Sequence, residues 1–326
     1  MKQLAFESKY QTFWKEFSSL LDQLEGLENK NDSFDTLWPK FPEHYRKMCH
    51  FLSAAQSRQY SPVLIDYLHQ LVLRGHRHLY RQKPAIWSAF KHFIAQGFPQ
   101  ALRREWRVWL LSSGLFYVPA ICMGLMCYLD GEFLYSLVTY EQVQEVEYMY
   151  DPANITLARP EGRESDSDFL MFGYYIFNNI GIDFKAYASG LLFGLGSIFF
   201  MVFNGLFIGG VAGHLSNKGF IDTFWPFVAG HSALELTAAT IAGAAGLKLG
   251  YALINPKNFT RTLALKKAGI ESFALISGAA LMTFLAAFVE GFWSATPDIP
   301  HMVKYSVGIA AWFAVLSYLL LAGRKS

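Results

Sequence analysis

Charge is what this sequence has least of. Only 17% of its 326 residues are Asp, Glu, Lys or Arg, against ~25% in an average soluble chain. Such scarcity excludes disorder, which needs high net charge and low hydrophobicity. It points instead to hydrocarbon as the solvent for part of the chain. A net charge of +2 is too small for a general nucleic-acid binder, so no nucleic-acid partner is expected. Cysteine is nearly missing too. Cys49, Cys122 and Cys127 cannot build a disulfide framework, and no CxxC or Cys/His cluster has structural-zinc spacing. The N-terminus, MKQLAFESKYQTFWKEF, has scattered charge and no uninterrupted apolar core, so it does not read as a cleavable signal peptide. Strand-like alternation, a P-loop, a dinucleotide fingerprint and a GxSxG elbow are all lacking. Neither an enzyme nor a cofactor is expected.

What is there is 52% apolar and 17% aromatic, and its few charges are unevenly placed. Residues 1–107 hold 16 Lys/Arg against 10 Asp/Glu, whereas residues 130–168 hold 2 against 10. The expected fold class is all-α: a polytopic helical membrane protein with an N-terminal soluble helical domain. Within residues 1–107, Phe13, Trp14, Phe17, Leu20, Leu21, Leu24 and Leu27 recur at helical spacing. The run Asn29–Ser33 closes that helix, and a second is expected from Pro42 to about Arg58. Ser61-Pro62 makes an N-cap and first-turn pair for a third, with Val63, Leu64, Tyr67, Leu68, Leu71 and Leu73 as its apolar positions. A fourth follows Pro84, with Ile86, Trp87, Phe90 and Phe93 on one side.

Residues 108–129 carry no charge and reach about 33 Å as a helix, enough for a ~30 Å bilayer core. Arg103, Arg104 and Arg107 precede this span and Asp130 follows it. The positive-inside rule then puts the N-terminal domain in the bacterial cytoplasm and residues 130–168 outside the inner membrane. Residues 169–185 are apolar but short and contain Asn178, Asn179 and Asp183, which suggests an interfacial amphipathic helix. A glycine-rich second span is expected over 186–215. There Gly190-x3-Gly194 and Gly205-x3-Gly209 would allow close helix approach, within one chain or in a homodimer. Residues 223–254 are too long for one straight span and hold Pro226, His231 and Glu235. Their flanks both read as cytoplasmic, so a re-entrant or broken helix is expected; a single tilted, kinked span is the alternative. Spans at 270–293 and 305–323 complete the membrane core (186–326) and return the C-terminus to the cytoplasm.

Two stretches resemble a known family. The run IFNNIGIDFKAYASGLLFGLGSIFFMVFNGLFIGG followed by GHSALELTAATIAGAAGLKLG is similar to the core of the stage II sporulation protein M (SpoIIM) family. Residues 45–81 are similar to an N-terminal extension found in its non-sporulating members. The most specific piece is H-x3-E ahead of a Gly/Ala-rich run. The resemblance implies a non-enzymatic scaffold holding other membrane or envelope proteins together. It also implies a genomic neighbourhood with a MoxR-type AAA+ ATPase, a von Willebrand-factor-like domain protein and an RDD-type membrane protein.

His231 and Glu235, at i and i+4, share one helical face. Ionisable groups at membrane depth are costly to bury and invite a functional reading. Three readings stand: a satisfied structural pair, a proton or ion pathway, and a metal site. The last lacks a third ligand unless Glu290 supplies it, so no metal is assigned. H-x3-E is not H-E-x-x-H, where two histidines bind zinc. Asn178, Asn179 and Asn204 are expected to hydrogen-bond between helices. Asn204-Gly205 is also a candidate helix break, and Gly209, Gly243 and Gly246 are further small positions of the family core. His69, His76 and His78 among Arg74, Arg77 and Arg81 read as a solvated basic face near anionic lipid. A scaffold is therefore the first functional expectation. The alternative is a transporter or channel-like component with its pathway at His231 and Glu235.

Overall fold

The computed structural model describes residues 2–26, 41–81, 86–157 and 165–324. Among the described residues there are helices and turns but no strand. They form two compact units, residues 1–89 and 90–326.

In the first unit, α1 (Gln3–Gly26), α2 (Phe41–Ser57) and α3 (Pro62–Arg81) share one core. Trp14, Phe17, Leu21 and Leu24 are buried, with Phe13 and Leu20 at the margin. Leu27 and the Asn29–Ser33 run lie outside the described residues. From α3 the row Leu64, Leu68, Leu71 and Gly75 turns inward, flanked by Ile65, Val72 and Leu79, and Val63, Tyr67 and Leu73 are exposed. Ser61 caps α3 as its sequence position suggests. Its hydroxyl accepts the Leu64 N–H at 3.4 Å and the Gln3 amide at 2.9 Å, which ties the starts of α1 and α3. Arg74 does not belong to a free basic face. Its guanidinium donates to Asp22 at 2.6 Å and Glu25 at 2.8 Å, so α1 has already neutralised it. Arg77 is exposed, and the Arg81 side chain lies outside the described residues.

The division between units falls inside α4 (Ile86–His92) and not at residue 107, which corrects the expected domain boundary. The correction has a packing cause. After a π-helical turn (Phe93–Gly97) comes α5 (Phe98–Arg104), whose Phe98, Ala101 and Leu102 are buried among Leu275, Ala279, Val315 and Leu319.

Five helices of the second unit are long and apolar enough to cross a membrane: α6 (Trp106–Leu129), α11 (Leu195–Asn217), α13 (Ser232–Ile254), α14 (Arg261–Val289, continued by a π-turn to Ser294) and α15 (His301–Leu321). Large apolar side chains such as Leu110, Val118, Ile121, Phe199, Phe273, Phe313 and Leu320 point outward. That is the pattern expected where hydrocarbon is the solvent.

Helix direction follows from named contacts. α6 and α11 run parallel: Gly205, Gly209 and Gly213 lie in turn against the carbonyls of Phe116, Ala120 and Gly124. Both helices end together, where Asn217 donates to the Tyr128 carbonyl at 2.9 Å. Parallel neighbours require a crossing between them. The near-continuous helix formed by α9 (Ser165–Tyr175), a π-turn (Ile176–Ile180), α10 (Gly181–Ala188) and a 3₁₀ turn (Ser189–Leu191) supplies it. This helix lies antiparallel to α14, through Phe172 with Phe288, Asp183 with Thr283, and Tyr187 with Ser272. Residues 169–185 are thus part of a membrane-depth passage and not an interfacial helix. Asn179 and Asp183 turn toward α14, and Asp183 is buried, accepting from Thr283 at 2.5 Å. The next helix starts at Leu195, not at 186, because Phe193 (φ 54°) and Gly194 (φ 83°) form a left-handed turn there. α11 is continuous, so Asn204-Gly205 does not break it.

Residues 221–254 cross once, as α12 (Ile221–Ala229) and α13 joined at Gly230-His231. Thr223 donates to the Tyr150 carbonyl at one end, while Lys248 pairs with Glu105, beside the start of α6, at the other. The helix is broken, as one expectation allowed, but it is not re-entrant. Its two flanks lie at opposite ends of the unit. α14 and α15 then pass up and back, and Arg103 on α5 donates to the carbonyls of Leu319 and Ala322 at 2.8 and 2.6 Å. Six passages leave the start of α6 and the end of α15 at one end, with Arg103, Arg104, Arg107, Lys257, Arg261, Lys266, Lys267 and Arg324. The opposite end carries Asp130, Glu132, Glu141, Glu145, Glu147, Asp151 and Asp298. We call them the basic and acidic ends.

Part of the acidic segment is itself folded. α7 (Tyr140–Tyr150) opens with a Thr139/Gln142 capping box, and α8 (Pro152–Leu157) follows it. Glu147 docks α7 on the end of α11, against His214 at 2.7 Å and Lys218 at 3.2 Å. Burial alone would raise the Glu147 carboxyl, but the hydrogen bonds from His214 and Lys218 override it and leave the group below its ordinary value. A lowered carboxylate contributes stability above its unfolded pKa and loses it as pH falls through the folded one. Amide exchange in α7, taken relative to its intrinsic rate at each pH, should therefore stay slow at neutral pH and lose its protection in acid. Glu147→Ala should make it fast at neutral pH; equal exchange in variant and wild type would refute the docking role.

Candidate functional site

Three irregularities in otherwise regular helices meet at one depth. The first is the break at Gly230-His231. Pro226 lacks a donor N–H, and the Trp293 ring lies so close to Gly230 that a Cβ there would clash. His231 becomes the N-cap residue of α13 and Glu235 sits in its first turn, where the helix dipole favours a carboxylate. The second is the π-turn Glu290–Ser294, and the third is the π-turn Ile176–Ile180 that holds Asn178 and Asn179. Inserted turns of this kind re-aim side chains and recur at functional sites.

One ligand-type atom each from His231, Glu235 and Glu290 lies within 4.8 Å of the others. His231 Nε2 is 3.7 Å from a Glu235 carboxylate oxygen, and its Nδ1 is 3.1 Å from the Ser294 hydroxyl. The Asn179 amide donates to Glu290 at 3.4 Å. His231 and Glu290 are 4% and 7% exposed, so both lie beyond the reach of bulk water. The Phe227 ring packs edge-on to the imidazole at 5.3 Å, and the buried Lys304 ammonium donates to the Ser294 carbonyl at 2.8 Å.

Toward the acidic end lies a cavity of about 340 Å³, lined by Tyr150, Tyr175, Asp222 and Lys304 and reaching Phe227 and Ser294, the two residues that pack on the His231 ring. Burial first, then the charges of Glu290 and Glu235, push the Tyr150 phenol up, so this ring lies within electrostatic reach of both carboxylates. Toward the basic end the helices close. Gly246 packs on Ser197 and the Ala186 carbonyl, Gly243 on Met201 and Ser112, and Gly250 on Gly194. Below them Lys248 bridges Glu105 at 2.5 Å and Glu271 at 2.9 Å. A second cavity, about 540 Å³, lies beside that triad.

Of the residues singled out from sequence, the fold brings together His231, Glu235, Glu290 and Asn179. Asn178 is exposed and bonds its neighbour Asn179. Asn204 donates to the Phe200 carbonyl of its own helix, not across to another. Gly205 and Gly209 line the α6 contact, while Gly243 and Gly246 seat α13. The arginines Arg74, Arg77 and Arg81 belong to the first unit. Sequence reasoning missed Ser294, Asp183, Thr283, Lys304, Tyr150 and the Glu105–Lys248–Glu271 triad as site or closure residues. A lone serine or lysine carries no periodic signal. Lys248, an isolated cation late in an apolar helix, did.

These features define a polytopic helical membrane protein with an ionisable cluster at the break of its central helix. The chain belongs to the stage II sporulation protein M family, whose model matches residues 113–295 and runs through the acidic segment. A second model, a domain of unknown function (DUF8413), matches residues 4–81. No curated protein and no solved structure gives a match.

Proposed function

We propose that this family member handles a cation in the manner of a transporter, the second of the two expectations drawn from the sequence. One observation carries the reading: a His–Glu–Glu cluster at a helix break, with a cavity reaching its neighbours Ser294 and Phe227 from the acidic side and close glycine contacts on the basic side. Half-helices meeting at an ionisable site are the usual arrangement around which transporters alternate access. The ion enters from the acidic end past Tyr150 and Phe227 and rests at the cluster. It leaves when the glycine contacts and the Lys248 bridges part. The positive-inside rule places the basic end, and with it both termini, in the bacterial cytoplasm, with the protein in the inner membrane. No covalent chemistry is assigned to it. In proteoliposomes the wild type should dissipate a proton or divalent-cation gradient, and Glu235→Gln should abolish that flux. No flux in the wild type with either ion would overturn the reading.

The scaffold reading remains as the second. It is favoured by the separate compact helical unit of residues 1–89, which no ion pathway needs. Crosslinking from native membrane should then recover an AAA+ ATPase, a von Willebrand-like domain protein or a cell-wall enzyme.

A further inference from the structure

We propose that His231, Glu235 and Glu290 hold one divalent first-row transition ion of the zinc class, with one coordination position left open. This rests on reading the cluster as a cation site, not on the ion being passed across the membrane.

The donor set is the first argument. One imidazole and two carboxylates suit Zn²⁺, Mn²⁺, Fe²⁺ or Co²⁺, whereas Mg²⁺ and Ca²⁺ prefer oxygen alone. Three protein ligands with a free fourth position are the usual form of a reactive zinc site. Atoms within 4.8 Å of one another need only small rotations to share an ion at ~2.0–2.2 Å.

The groups behind the ligands make the second argument. His231 Nδ1 and Ser294 Oγ are 3.1 Å apart; with Nδ1 as the donor, the Nε2 lone pair is left for an ion. Among the described residues Nε2 makes no hydrogen bond and faces a Glu235 carboxylate oxygen at 3.7 Å. Glu290 is held from behind by the Asn179 amide. Partners that fix imidazole tautomer and carboxylate orientation are the common second layer of metal sites. Charge is the third argument. Two carboxylates so close together at membrane depth repel each other and pay a large desolvation cost, which one divalent ion balances. Lys304 supplies a further positive charge nearby, but its ammonium is turned to the Ser294 carbonyl.

The test is equilibrium dialysis of the full chain in detergent, stripped with chelator and then given Zn²⁺ alone. One Zn²⁺ should bind per chain. Co²⁺ in its place should give the visible d–d bands of a low-symmetry N/O site. His231→Ala, Glu235→Gln and Glu290→Gln should each lower affinity at least tenfold, and Asn179→Ala about tenfold. Because the glutamine variants keep shape, each should elute as the wild type does. Zn²⁺ should raise the melting temperature of the wild type only. Zinc that stays bound equally in Glu290→Gln lies elsewhere, for instance on the histidines of α3, and overturns the proposal. So does a wild type that binds none. The two readings fail separately. Zinc binding without flux removes transport and keeps the site, while a proton flux lost in Glu235→Gln without zinc binding does the reverse.

Discussion

Gly209→Leu is expected to leave no folded membrane unit. A Cβ at this position is driven into the Ala120 carbonyl, and Gly205 and Gly213 meet the carbonyls of Phe116 and Gly124 in the same way. Overpacking an ordinary core costs about 1–3 kcal/mol because side chains can turn aside. Here the obstacle is backbone on both helices, so relief requires α6 and α11 to separate. Separation would undo the Asn217–Tyr128 and His214–Gly131 bonds at their shared end. Small residues at such crossings supply the close packing that holds membrane helices together, since hydrocarbon offers no hydrophobic drive. Size-exclusion chromatography after detergent extraction should show aggregate for Gly209→Leu and a monodisperse peak for Gly173→Ala, whose added Cβ meets nothing within 4 Å. A wild-type elution and melting profile for Gly209→Leu would mean that the two helices do not pack as described. The same stripe was the reason to expect a homodimer. Its glycines are consumed inside one chain, so that reason is gone.

Composition and charge made the all-helical membrane class legible; apolar run length placed α6 and α15 to within four residues but missed the starts of α11 and α14 by nine. Heptad-like spacing found the core of the first unit, down to the Ser61 cap. Topology was read less well, and for a physical reason. Hydropathy assumes that a span shows lipid all round, but Asn179 and Asp183 are polar because their side of the helix faces Glu290 and Thr283 rather than lipid. A helix buried in protein can carry such groups, and so residues 169–185 resembled an interfacial segment. The loop 218–222 then had to be placed on the basic side, which made 223–254 look re-entrant. Two misreadings compensated: four spans with a re-entry and the six helical passages of the fold, five of them long and apolar enough to cross a membrane, both bring the chain back to its starting side. The site was half legible. His231 and Glu235 stood out as ionisable groups in an apolar run, and Glu290 was the one carboxylate free to join them. The π-turns that aim Glu290, Ser294 and Asn179 inward leave no pattern in sequence, because one extra residue in a helix turn changes no composition.

The crossing of residues 221–254 makes an all-or-none prediction. Asp222→Cys and Asn258→Cys should react with a membrane-impermeant maleimide from opposite faces. The background should lack Cys49 and Cys122; Cys127 is fully buried and can stay. Asp222 and Asn258 are both exposed, so access depends on the side of the membrane and not on packing. Asp222 lies next to Thr223, whose hydroxyl is bonded to the Tyr150 carbonyl, and so belongs with the acidic segment. Asn258 follows α13, whose Lys248 meets Glu105 at the other end. Glu132→Cys, in the acidic segment itself, marks the first face. With basic residues inside, positions 132 and 222 should label in intact cells, and position 258 only after permeabilisation. Joint labelling of 222 and 258 would restore the re-entrant hairpin.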